Sequence, residues 1–176
     1  MVSWYYHCLF KNERFNEQLV NIVRSDLEFD DYSDIHINLP TFIEYTFTRQ
    51  RHPRYSWSDF VNRWHGRKDV VYASYERLVE NTSDELARII FDLCNKKLSK
   101  DLCKMIAEKY SFKEQTGREP GEEDKSSFTR KGIAGDWVNY FSKDACIVFN
   151  QYAGEELIKL GYVQDDSWIN KSVISY

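Results

Sequence analysis

Apolar residues recur at helical spacing along most of this 176-residue chain. Val2, Tyr5, Tyr6, Leu9 and Phe10 share one face by the i, i+3, i+4, i+7, i+8 rule, which predicts a helix from the first residues. Residues 12–41 carry the weakest pattern, and the acidic run Asp30, Asp31, Asp34 reads as a solvated loop. Leu39-Pro40-Thr41 is expected to open a short apolar helix with Phe42, Ile43, Tyr45 and Phe47, followed by a basic turn of Arg49, Arg51, His52, Pro53 and Arg54. Ser56-x-x-Asp59 and Thr82-x-x-Glu85 read as capping boxes, each ahead of an amphipathic stripe: Trp57, Phe60, Val61, Trp64 and then Leu86, Ile89, Ile90, Leu93. Ser99 is expected to cap a helix carrying Leu102, Met105 and Ile106. Ser142 should cap a last long helix with Cys146, Phe149, Ala153, Leu157 and Leu160 inward, and Gly161 stands where a helix-ending glycine belongs.

The period changes once. Val70-Val71-Tyr72-Ala73-Ser74-Tyr75 is short, β-rich and nearly apolar on both faces, which predicts a buried parallel-type strand over about 69–75. The expected fold class is therefore α/β, mostly helical. Such a strand needs partners for its N–H and C=O groups. Either a weak segment such as Ile35-His36-Ile37 pairs with it, or the partners are not in this chain. In the latter case the open strand edge invites a protein partner.

Composition narrows the function classes. Hydrophobic residues make up 42% and charged residues 30%, enough for a folded domain, and only 7 Gly and 3 Pro argue against a turn-rich all-β fold. The chain is expected to form a single domain over 1–176, with a long polar loop at 113–135. A net charge of −4 makes a general nucleic-acid binder a poor fit, so any anion site must be local. No apolar run reaches the ~20 residues of a membrane span, and the first residues do not read as a signal peptide. Cys8, Cys94, Cys103 and Cys146 have no C-x-x-C spacing, and scattered thiols suit a reducing, cytoplasmic setting.

Candidate chemistry concentrates in Phe128-Thr129-Arg130-Lys131-Gly132-Ile133-Ala134-Gly135-Asp136-Trp137. Arg130 offers a planar fork of donors, Lys131 a point charge, and Gly132 an amide that an anion can approach closely. That is a phosphate cradle or, more plainly, a basic turn. Tyr75 could pack on a base beyond the strand end or close the core, and Phe112, after Ser111, could be a stacking wall or an apolar plug. None of the histidines has a metal partner at ligand spacing, and His7 in its aromatic helix reads as structural. Glu122-Glu123-Asp124 reads as a solvated turn.

Taken in order, these pieces resemble the PAPS-dependent sulfotransferase family, whose cofactor is 3′-phosphoadenosine 5′-phosphosulfate. The resemblance runs through Val2-Ser3-Trp4-Tyr5-Tyr6-His7, Tyr55-Ser56-Trp57 with Trp64, Tyr75-Glu76-x-Leu78, Ser111-Phe112, Arg130-Lys131-Gly132-x-x-Gly135-Asp136-Trp137 with Phe141, and Leu160-Gly161-Tyr162. It implies that Arg130, Lys131 and Gly132 hold the 3′-phosphate together with Ser3. It also implies that Tyr75, Ser111 and Phe112 surround the adenine, and that Phe128 and Thr129 lead into the cradle. It implies sulfuryl transfer from PAPS to a hydroxyl or amine, leaving PAP.

The resemblance covers only the C-terminal portion of such a P-loop-like fold. The family's phosphosulfate loop with its lysine, its histidine base and an arginine on the 3′-phosphate would all lie upstream of Ser3. The family's dimerisation motif is replaced by Val138, Ser142, Lys143 and Ile147. The chain is thus expected to be a partial domain, inactive alone, that meets a small-molecule acceptor only when completed by an N-terminal half. The other reading is a non-catalytic α-helical interaction module derived from the same fold.

Overall fold

The fold is that of a computed structural model, which describes residues 1–49 and 53–171; Arg51 and His52 of the basic turn lie outside the described residues. The chain divides into two units, Met1–Gly66 with the chain from Asp136 onward, and Arg67–Gly135.

The first unit is built on α1 (Val2–Leu9), α2 (Glu17–Asp26), α3 (Ile35–Arg49), α4 (Trp57–Trp64) and, after a 3-10 turn at Asp136–Asn139, α9 (Lys143–Lys159) and α10 (Trp168–Lys171). The predicted stripe of α1 is inside: Val2, Tyr5, Tyr6 and Leu9 are buried with Leu39, Phe42 and Ile43 of α3 and with Ala145, Cys146 and Ala153 of α9. Helix α3 packs on both α1 and α9, and α4 and α10 lie on α9. Ring geometry is specific. Phe42 meets Tyr5 edge-on at 5.1 Å, and Phe47 stacks on Tyr152 at 5.2 Å. The Tyr5 hydroxyl donates to the Tyr32 carbonyl at 2.8 Å and accepts from Asn38 Nδ2 at 3.0 Å, so the loop before α3 is fastened to the core. Burial drives the Tyr5 phenol up to about 12, with the Asn38 hydrogen bond pulling the other way.

Several helix ends follow the sequence signals. Ser56 and Asp59 form a reciprocal capping box, Ser99 accepts from Leu102 N, and Ser142 accepts from Ala145 N. At the end of α9, Gly161 has φ +76° and Tyr162 N donates to Leu157 O at 2.9 Å. Gly161 N donates to Ile158 O at 3.0 Å, completing the Schellman pattern.

The second unit holds α5 (Tyr75–Glu80), α6 (Thr82–Cys94), α7 (Lys100–Lys109) and α8 (Phe112–Thr116), then a loop to Gly135. Helix α6 packs against α5 and α7, and α7 against α8.

Three expectations are corrected. The strand over 69–75 is not there: no strand occurs among the described residues, residues 70–74 are neither helix nor strand, and Tyr75 already belongs to α5. The α/β class therefore gives way to an all-helical arrangement. An apolar β-rich run supplies propensity, but a ladder needs a second chain segment to receive its hydrogen bonds. Ile35-His36-Ile37 does not provide one, because it forms the first turn of α3. With no strand among the described residues, no strand edge awaits a protein partner.

The second correction is the start of α3, which precedes Pro40 instead of beginning beside it. Asp34 Oδ1 accepts from Ile37 N at 3.3 Å, and Pro40 sits inside the helix with no N–H to donate. The third is the N-cap of α6, which is Asn81, accepting from Asp84 N. Thr82 Oγ1 donates back to Leu78 O at 2.6 Å, and Glu85 is engaged elsewhere. The run Glu122-Glu123-Asp124 lies at the surface, with Glu122 and Glu123 exposed, and Glu123 bonds Arg130 there.

The thiols divide sharply by environment. Burial pushes Cys8 up to about 12 and Cys146 up to about 11, while Cys94 is exposed. A disulfide reagent at pH 8 is expected to label Cys94 in the native protein and to reach Cys8 and Cys146 only on unfolding. Rapid labelling of Cys8 in the folded chain would contradict the burial of α1.

Candidate functional site

The R-K-G sequence stands on one limb of the loop that follows α8. Gly117, at φ +72°, ends that helix. Two backbone hydrogen bonds then cross between the loop's limbs: Gly121 N donates to Lys131 O at 2.8 Å and Asp124 N to Arg130 O at 2.9 Å. At the tip, Asp124 Oδ1 accepts from Ser126 N and Oγ at 2.9 and 2.7 Å, which holds its carboxyl below the usual range. Arg118 lies within the loop. Its Nη1 donates to the carbonyls of Glu122 (2.7 Å) and Arg130 (2.8 Å) and its Nη2 to that of Thr129 (2.6 Å). The same guanidinium lies over the Phe112 ring, 5.0 Å from its centroid.

Within this frame Arg130 is 6% exposed, and its Nη1 is hydrogen-bonded to the Glu123 carboxylate. Lys131 and Gly132 are half-buried. Gly132 has φ +68°, and a Cβ built on it would stand 2.2 Å from Phe112 Cδ2. The backbone of the R-K-G limb is thus pressed on the Phe112 ring in a way that only glycine permits. Ser111, next to that ring, is the N-cap of α8 and accepts from Glu114 N at 3.3 Å. Phe128 and Thr129 are exposed on the limb leading to Arg130.

Tyr75 opens α5 behind its cap Ser74 and is 52% exposed. Partial burial raises its phenol pKa, and the charge of Arg130 draws it back, so the two groups feel one another. The segment that delivers Tyr75 is fastened to α6 by Arg88, which bonds the Tyr72 carbonyl and, at 2.9 and 2.6 Å, the Glu85 carboxylate. Glu85 is 3% exposed, and these hydrogen bonds hold its carboxyl below the usual range.

Of the predicted residues of the second unit, Phe112 and Gly132 are brought into contact, and Tyr75 lies within the electrostatic reach of Arg130. Ser111 and Lys131 adjoin them in sequence. Ser3 belongs to the first unit, where it is the exposed second residue of α1. Sequence reasoning missed Arg118 and Glu123. Glu123 lay in a carboxylate run that usually faces water, and nothing in the pattern around Arg118 marks it out. Chemically, a guanidinium fork, an ammonium and a glycine amide in succession suit a tetrahedral oxyanion, and an adjoining ring face suits a flat heterocycle.

A family model of the sulfotransferase domain matches residues 1–161. The chain is 30% identical to sulfotransferase 1E1 of Cavia porcellus over 118 residues, which is 60% of this chain and 39% of that protein. It is 33% identical to sulfotransferase 1B1 of Mus musculus over 101 residues, covering 49% and 33%, and 32% identical to human sulfotransferase 1E1 over 118 residues, covering 60% and 40%. The chain spans less than half the length of these curated relatives. No solved structure matches it at comparable significance. With the match running through the whole of the loop that bears Arg130, Lys131 and Gly132, the chain belongs to the sulfotransferase family.

Proposed function

We propose that this chain holds the 3′-phosphate and adenine side of 3′-phosphoadenosine 5′-phosphosulfate (PAPS), or of the product PAP. Arg130, now bonded to the Glu123 carboxylate, would exchange that partner for the phosphate, Lys131 adds charge, and Gly132 offers its amide at close approach. Phe112 and Tyr75 flank the base, Ser111 adjoins it, and Phe128 and Thr129 lead into the cradle. Ser3 enters this reading through the resemblance alone. The observation that carries it is the closure of Gly132 on Phe112, which joins the phosphate residues to a ring wall. The groups present fit the nucleotide: cationic and amide donors for its phosphate, aromatic faces for its base.

PAPS, when bound, supplies a sulfuryl group that passes to an acceptor hydroxyl or amine as that acceptor loses its proton and PAP departs. The transfer needs a base and donors for the developing charge on the leaving phosphate. This reading assigns no residue of the chain to either task, so the 176-residue polypeptide alone is expected to be inactive and to meet a small-molecule acceptor only with a completing N-terminal half. The scattered cysteines, without C-x-x-C spacing, support a cytoplasmic setting in this reading. Among the described residues no helix is long and apolar enough to cross a membrane.

The test is a thermal-shift titration with PAP. The wild-type chain is expected to be stabilised, by about 2.7 kcal/mol once PAP reaches a hundredfold over Kd. Arg130→Ala with Lys131→Ala should abolish the shift. No shift at millimolar PAP would favour the helical interaction-module reading instead. The observation on that side is the exposure of Phe91, Leu93, Met105 and Tyr110.

A further inference from the structure

We infer that Arg118 is a positioning residue of the nucleotide loop, acting on the phosphate through the backbone it holds. The inference rests on the reading above. Arg118 bonds three carbonyls on the two limbs, those of Glu122, Thr129 and Arg130, all within 2.8 Å. The next carbonyl, that of Lys131, is taken by Gly121 N. Three successive carbonyls, 129 to 131, therefore spend their negative ends inside the loop. A phosphate is repelled by carbonyl oxygens and attracted by amides, so this orientation decides whether the limb welcomes an anion.

The same guanidinium covers the Phe112 ring that Gly132 meets. The ring is also met by the backbone at Gly132, so the effect expected of Arg118 lies in the carbonyls of the phosphate limb. A planar fork can reach several carbonyls and stack on a ring at once, whereas a lysine ammonium is a single point on a flexible stem. Arg118 supplies no contact to the nucleotide in this scheme.

The experiment compares the 176-residue chain with Arg118→Lys and Arg118→Ala by 1H–15N NMR titration with PAP and with 5′-AMP, which lacks the 3′-phosphate. For wild type, PAP is expected to bind more tightly than 5′-AMP. In Arg118→Lys, PAP affinity should fall about tenfold, the worth of roughly one charge-assisted hydrogen bond, while 5′-AMP affinity stays within about twofold. The amide signals of residues 129–132 should move in the unliganded variant. Arg118→Ala should show the same pattern more strongly, and Arg118→Lys keeps the comparison informative if the alanine variant does not fold. An unchanged PAP preference in Arg118→Lys overturns the inference and leaves the site reading standing. Equal loss of PAP and 5′-AMP affinity also overturns it, because the role is then merely structural. A wild-type chain that does not distinguish the two nucleotides overturns the site reading itself.

Discussion

Gly132→Ala is expected to weaken PAP binding severely, with an affinity loss of about a hundredfold. Two costs combine. The backbone at 132 has φ +68°, where an L side chain costs roughly 1–2 kcal/mol. The added Cβ would also stand 2.2, 2.5 and 2.7 Å from three carbons of the Phe112 ring, closer than carbon atoms approach. Relieving that overlap means moving a ring that Arg118 covers, at a cost of about 1–3 kcal/mol for such overpacking. Together these come to about 2–5 kcal/mol, a range that brackets the ~2.7 kcal/mol of a hundredfold change. Calorimetric titration with PAP reads the loss, and the amide signals of 129–132 read the displacement. Adding Phe112→Ala should relieve the overlap and restore part of the loop's signals without restoring affinity, because the wall for the base is gone. Wild-type affinity in Gly132→Ala would mean that the limb does not face the nucleotide.

This pair also illustrates what the sequence could and could not disclose. Gly132 and Phe112 were separately legible, one as an amide open to an anion and the other as a ring of undecided use. Their contact was not, since it depends on how the loop folds back after α8. Arg118 and Glu123 acquire their roles only from that fold: one bonds carbonyls, and the other, within an ordinary acidic run, neutralises a buried guanidinium. Helix ends were the most readable features, because a serine cap or a terminal glycine acts within one turn of its own position. Helix α2 was readable but passed over, since Val20, Val23 and Leu27 keep the helical spacing within a polar stretch. The stretch at 70–75 misled because local β-propensity was mistaken for a sheet that only distant partners can supply.

Phe42→Ala carries the largest expected effect on stability. Phe42 is fully buried at the crossing of α3 with its neighbours and sits edge-on to Tyr5. Truncating such a ring costs about 3–5 kcal/mol, through lost transfer energy and the cavity left behind. That is a large share of the roughly 5–15 kcal/mol that stabilises a typical domain. All five tryptophans, Trp4, Trp57, Trp64, Trp137 and Trp168, belong to the first unit, so intrinsic tryptophan fluorescence reports on this core directly. Urea titration of Phe42→Ala is expected to show a much lower midpoint. A midpoint within a few tenths molar of wild type would place Phe42 outside the load of the core.

The second unit is closed off from water at Glu85, Cys103 and Arg130, two of them ionised side chains. An interior of that kind has little oil to hold it shut, and its cohesion depends on charges finding opposite charges. An adenine nucleotide seated at the R-K-G limb would supply what this interior lacks, a broad apolar plate and a dense anion in a single molecule. Under the proposed reading, such a ligand would add to the cohesion of this unit, and its binding and the unit's stability would rise together.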